Sequence, residues 1–101
     1  MSIPHDDVIK SELLSLLASS PNGGLHVHKI YKELAKLHPE LTEQEKHDRY
    51  ENSRSKWANR VQFARLHLVE DSMIYRAGAG PRPAYGVWTI TEAGRKRAEH
   101  R

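Results

Sequence analysis

The stretch from Ser53 to Asp71 constrains the fold most. Its apolar residues Trp57, Val61, Ala64 and Leu68 recur at i, i+4, i+7 and i+11. That spacing is a single stripe along one amphipathic helix. No acid occurs from Arg54 through Val69, and Arg54, Lys56, Asn59, Arg60 and Arg65 lie beside the stripe. One face of this helix is apolar and must be buried. The other offers cations and an amide, which suits the major groove of a duplex. There Arg pairs with guanine edges, Asn with adenine, and Lys with phosphate.

The segment after the helix reads as a basic hairpin. Ile74-Tyr75-Arg76 predicts a strand, Ala77 to Ala84 a Gly/Pro-rich loop with Arg82 at its tip, and Tyr85 to Ile90 a second strand. Ahead of the long helix, a first helix is predicted over 6–19, capped by Asp6 or Asp7, with Ile9, Leu13, Leu16 and Leu17 inward. Breakers fill 19–24, and Leu25-His26-Val27 is a very short strand. A second helix is predicted over 28–37 with Ile30, Tyr31, Leu34 and Leu37 inward, stopped by His38-Pro39. Thr42 and Glu45 form a capping box for a short polar helix over 43–49, and Asn52 or Ser53 caps the long helix. Thr91 caps a last helix over 92–100. The order is helix, strand, helix, short helix, helix, strand, strand, helix. That is an α+β, mostly α, winged helix-turn-helix with a small antiparallel hairpin as its wing.

Size and charge agree with one small domain over residues 1–101. Residues 1–53 carry 6 Lys/Arg against 9 Asp/Glu, and residues 54–101 carry 10 against 4. Positive charge therefore collects in the half that holds the long helix and wing, as in a polyanion binder. The plain alternative is a solvated basic surface. There are no cysteines, no apolar run near 18 residues and no basic-then-apolar leader, which fits a cytoplasmic protein without membrane contact.

Trp57-x-Asn59-Arg60-Val61-x-Phe63-Ala64-x-x-x-Leu68, the hairpin, and Tyr85-Gly-Val-Trp88-x-Ile90-Thr91-x-x-Gly94 together resemble the N-terminal winged-helix domain of Mrr-like restriction proteins. Ile3-Pro4 with Asp6-Asp7, and Leu41-Thr42-Glu43-x-Glu45, resemble the same family's opening and middle. The chain departs from the pattern at Phe63, where the resemblance implies a tryptophan. It departs again at the helix exit, where the loop Ala77 to Ala84 takes the place of the usual Ala-Gly-Leu and Asp71-Ser72-Met73 forms the junction. The resemblance implies binding of double-stranded DNA, with a nuclease domain in cis and a role in restricting DNA that carries methylated or hydroxymethylated cytosine. No HNH pattern and no strand-borne acidic cluster is present in the chain itself, so catalysis is expected to lie outside it.

The expected DNA contacts are Arg54, Ser55, Lys56, Asn59, Arg60, Arg76, Arg82 and Tyr85. Arg54 and Ser55 would sit at a helix N-terminus, where backbone amides also attract phosphate. Arg60 borders the apolar stripe, and bracing against an acid of the negative half competes with DNA contact as its role. Phe63 and Leu66 lie opposite the stripe. Cover by a second layer explains them most simply, and contact with a thymine or methylcytosine methyl group is the functional alternative. The His26-x-His28 pair invites zinc, but no third ligand is spaced for it, so neither metal nor cofactor is expected. No Ser, His and acid are arranged as nucleophile and base, so no catalytic residue is expected. Two other functions stay open: a winged-helix transcription regulator and a protein-interaction module.

Overall fold

The computed structural model describes residues 4–41, 56–81 and 84–99. Helix α1 spans Asp6–Ala18 and strand β1 Gly24–His26. Helix α2 spans Val27–Lys36 and the long helix α3 Lys56–Glu70. Strand β2 spans Val87–Thr89 and helix α4 Glu92–Glu99. The chain has the predicted α+β, mostly helical, winged-helix architecture. The predicted helix over 43–49 and its capping box fall outside the described residues.

The stripe of α3 is buried as its spacing requires, with Trp57, Val61, Ala64 and Leu68 all in the core and Ala58 beside them. They pack with Ile9, Leu13 and Leu17 of α1 and Ile30 and Leu34 of α2. Removing such side chains from water supplies most of the folding free energy, about 1.5–3 kcal/mol for each large one. Leu14 is also buried, because α1 packs against α4 as well as α3. Leu37, expected inward, is instead 57% exposed. The reason is that α2 stops at Lys36, so Leu37 is its C-cap and no longer holds a place on the helix face. Leu16 is only half-buried.

Two histidines act as helix N-caps. His5, rather than Asp6 or Asp7, caps α1, its Nδ1 accepting from the Asp7 amide at 3.2 Å. His26 caps α2 in the same way, its Nδ1 accepting from the His28 amide at 3.2 Å. Asp6 and Asp7 keep the favourable place of acids in a first turn. Thr91 is confirmed as a cap: its hydroxyl accepts from the Gly94 amide at 3.0 Å and donates to the Ser72 carbonyl at 2.6 Å.

The wing differs from the predicted hairpin. Strand β2 pairs antiparallel with β1, in the register Gly24 to Thr89, Leu25 to Trp88 and His26 to Val87. The strand expected over Ile74 to Arg76 is reduced to one bridge, Ile74 to Ile90, and a bond from the Tyr75 amide to the Thr89 carbonyl at 2.9 Å. Tyr85 and Gly86, expected as strand, form a turn with φ of 75° at Gly86. A Cβ there would approach His26 Nε2 to 2.7 Å, so glycine is required by both conformation and space.

Candidate nucleic-acid interface

Helix α3 has its stripe pinned to α1 and α2, so its remaining surface is fixed in orientation. On that surface Phe63 is 48% and Leu66 49% exposed. The expected covering layer is absent among the described residues, because α1 and α2 both pack on the stripe side. Asn59, Phe63 and Leu66 converge on one shallow depression of about 230 Å³, together with Gln62 and Arg65. An amide and two apolar groups thus lie side by side on the helix's outer face.

A second, larger hollow of about 600 Å³ opens where the start of α2, the flank of α3 and the wing meet. Gln62 and Arg65 form the ridge between the two hollows, lining both. Tyr85, fully exposed, stands at the rim of the larger one, and Trp88 lines it from β2. The Arg65 guanidinium lies over the Trp88 ring, its central carbon 5.2 Å from the ring centroid. Tyr31 meets Trp88 edge-on with centroids 6.3 Å apart, and its hydroxyl accepts from Gln62 Nε2 at 2.7 Å. His26 and His28 stack with centroids 5.2 Å apart. Burial pulls the Arg65 pKa below its ordinary value, with only the neighbouring Tyr31 acting in the other direction.

The remaining expected contacts are dispersed. Lys56 and Arg60 are partly buried on α3 and Arg76 is exposed after Ile74; none lines either hollow. No acid among the described residues pairs with Arg60, so the bracing role finds no partner there. Arg54, Ser55 and Arg82 lie outside the described residues. His26 Nδ1 is already committed to its cap, and no group of three or more potential metal ligands occurs among the described residues.

Sequence reasoning leaves Gln62, His28 and His26 without a nucleic-acid role and counts Arg65 only among the cations beside the stripe. A signal was present in the i, i+3 spacing of Gln62 and Arg65, which sets both on one flank of the helix. What that flank faces depends on the β1–β2 pairing, and this is a tertiary fact. Among the described residues no helix is long and apolar enough to cross a membrane. A family model, the Mrr N-terminal domain, matches residues 9–100. No curated protein matches the chain, and no solved structure does.

Proposed function

The chain belongs to the Mrr N-terminal domain family, and from that premise we propose that it binds double-stranded DNA and directs a nuclease domain in cis to duplexes carrying modified cytosine. The observation that carries the reading is the outer face of α3, where Asn59 stands beside the exposed pair Phe63 and Leu66. An amide hydrogen-bonds base edges, and apolar groups favour a cytosine 5-methyl much as they favour that of thymine. Burying one such group is worth about 0.8 kcal/mol, so selectivity on intact duplex is only several-fold. Phosphate contacts from Lys56, Arg60, Arg76 and, outside the described residues, Arg54, Ser55 and Arg82 supply most of the affinity. The chain contributes recognition; the chemistry of cleavage belongs to the partner domain.

The test is a competition titration of matched duplexes that differ only in cytosine modification, repeated with Asn59→Ala and across salt concentrations. Modified duplexes should win by several-fold, and the Asn59 variant should weaken binding. Equal affinity for every duplex would refute modified-base reading and leave the transcription-regulator reading. Absence of salt-dependent binding would point to a protein-interaction module, which the exposed Phe63 and Leu66 also suit.

A further inference from the structure

Arg65 is a cation with no counter-ion among the described residues. Its Nε is sealed from solvent and has no hydrogen-bond partner. Among the described residues no carboxylate pairs with it, and none lines the larger hollow. Gln62 beside it is turned to the Tyr31 hydroxyl. The Trp88 ring faces the guanidinium but brings no formal charge, so this partly desolvated cation is costly, and an anion entering the hollow that Arg65 lines offsets that cost. The hollow's other polar side chains among the described residues, His26, His28 and Tyr85, include no carboxylate.

Of the rings lining this hollow, Trp88, His26 and His28 are already engaged, while Tyr85 stands exposed at the rim. The guanidinium lies over the Trp88 ring and Tyr31 stands perpendicular to that ring, while His26 and His28 stack together. Apart from Tyr85 at the rim, the hollow offers charge more than an open stacking face. Its position adds to this. Gln62 and Arg65 are shared with the depression that holds Asn59, Phe63 and Leu66, so a strand whose bases meet those residues runs past the hollow toward the wing. We propose that the hollow between α2, α3 and the wing is a subsite for one backbone phosphate of the bound DNA strand, with Arg65 as its principal donor and His26 and His28 on its border. This rests on the duplex-binding reading above, and it assigns Arg65 to register and affinity, with base choice left to the α3 face.

The experiment uses plain and modified duplexes, each also prepared with single neutral methylphosphonate linkages in place of successive phosphates. For the intact protein, one linkage should weaken binding several-fold. Arg65→Gln should bind less tightly, show a salt slope shallower by about one phosphate contact, and be indifferent to that same linkage. It should weaken plain and modified duplexes alike. Arg65→Lys keeps the charge and should retain most of the slope. If Arg65→Gln does not fold, the ring resonances of His26 and His28 in the unaltered protein decide: they should shift on adding plain duplex, and unmoved signals would overturn the proposal. Unchanged affinity and slope in a folded Arg65→Gln would overturn it too. So would an extruded base analogue whose fluorescence on binding depends on Arg65, since the hollow would then hold a base. Failure of the unaltered protein to bind any duplex at low salt would instead refute the underlying reading.

Discussion

His38 is buried to 8% exposure, and both of its ring nitrogens meet carboxylates. Nε2 lies 2.6 Å from Glu12 on α1 and Nδ1 2.9 Å from Glu40. Burial opposes the charged ring, but the hydrogen bonds to Glu12 and then Glu40 outweigh it and raise the pKa above its ordinary value. A raised folded-state pKa means the stabilisation is fully present below the unfolded value of about 6.5 and is lost as pH rises through the folded value. Melting temperature should therefore fall as pH rises from about 6 through the higher value set by Glu12 and Glu40, apart from other groups. His38→Gln should flatten that part of the profile and cost on the order of 1–3 kcal/mol at pH 6. A variant with the parental pH profile would remove His38 as its source. The ring also lies 5.9 Å from that of Trp57, so tryptophan fluorescence should report the same titration.

At the scale of elements, the exit of α3 shows how a helix can stop without its usual residue. The Met73 amide bonds to the Leu68 carbonyl at 2.8 Å and the Ser72 amide to the Val69 carbonyl at 3.0 Å, the paired bonds of a Schellman motif. Ser72 takes the left-handed position with φ of 62°, where glycine is the customary occupant. Ser72→Gly should raise stability by about 0.5–1 kcal/mol in a denaturation series, by relieving the cost of the left-handed position; a loss would show that its side chain contributes more than its conformation costs. Thr91→Ala should cost about 1 kcal/mol as a lost cap. The long helix, its stripe and the Thr91 cap are legible in the sequence because they follow local periods and local bonds. The place of Leu37 is not, since a helix ending one residue early is a matter of fine energetic balance. Nor is the wing pairing, because a three-residue strand such as β2 carries too little pattern to name its partner. Phe63 and Leu66 are legible as apolar and opposite the stripe, but only the packing of α1 and α2 shows that they remain uncovered. Arg65 escapes for a similar reason: its meeting with Trp88 exists only once the two strands are joined.

For the whole molecule, the core is one cluster that draws on α1, α2, α3 and the wing. Leu68→Ala should cost about 2–5 kcal/mol and lower the unfolding midpoint in one cooperative transition. An effect below about 0.5 kcal/mol would contradict the packing of α3 on α1. Gly94→Ala should be similarly damaging, because its Cβ would collide with the Met73 carbonyl and the Ile90 side chain. The pairing of Gly24 with Thr89 joins segments far apart along the chain. Closing so long a loop carries its entropic cost before the contact repays it, and only three residues on each side repay it. The α1–α3 packing lies closer along the sequence and is more extensive, so the strand pair is expected to open locally more readily than the helices. Amide hydrogens of β1 and β2 should accordingly exchange faster than those of the middle of α3. The hollow beside Arg65 shares that exposure: a local opening of the strands, short of global unfolding, would dismantle it while the helices still stand.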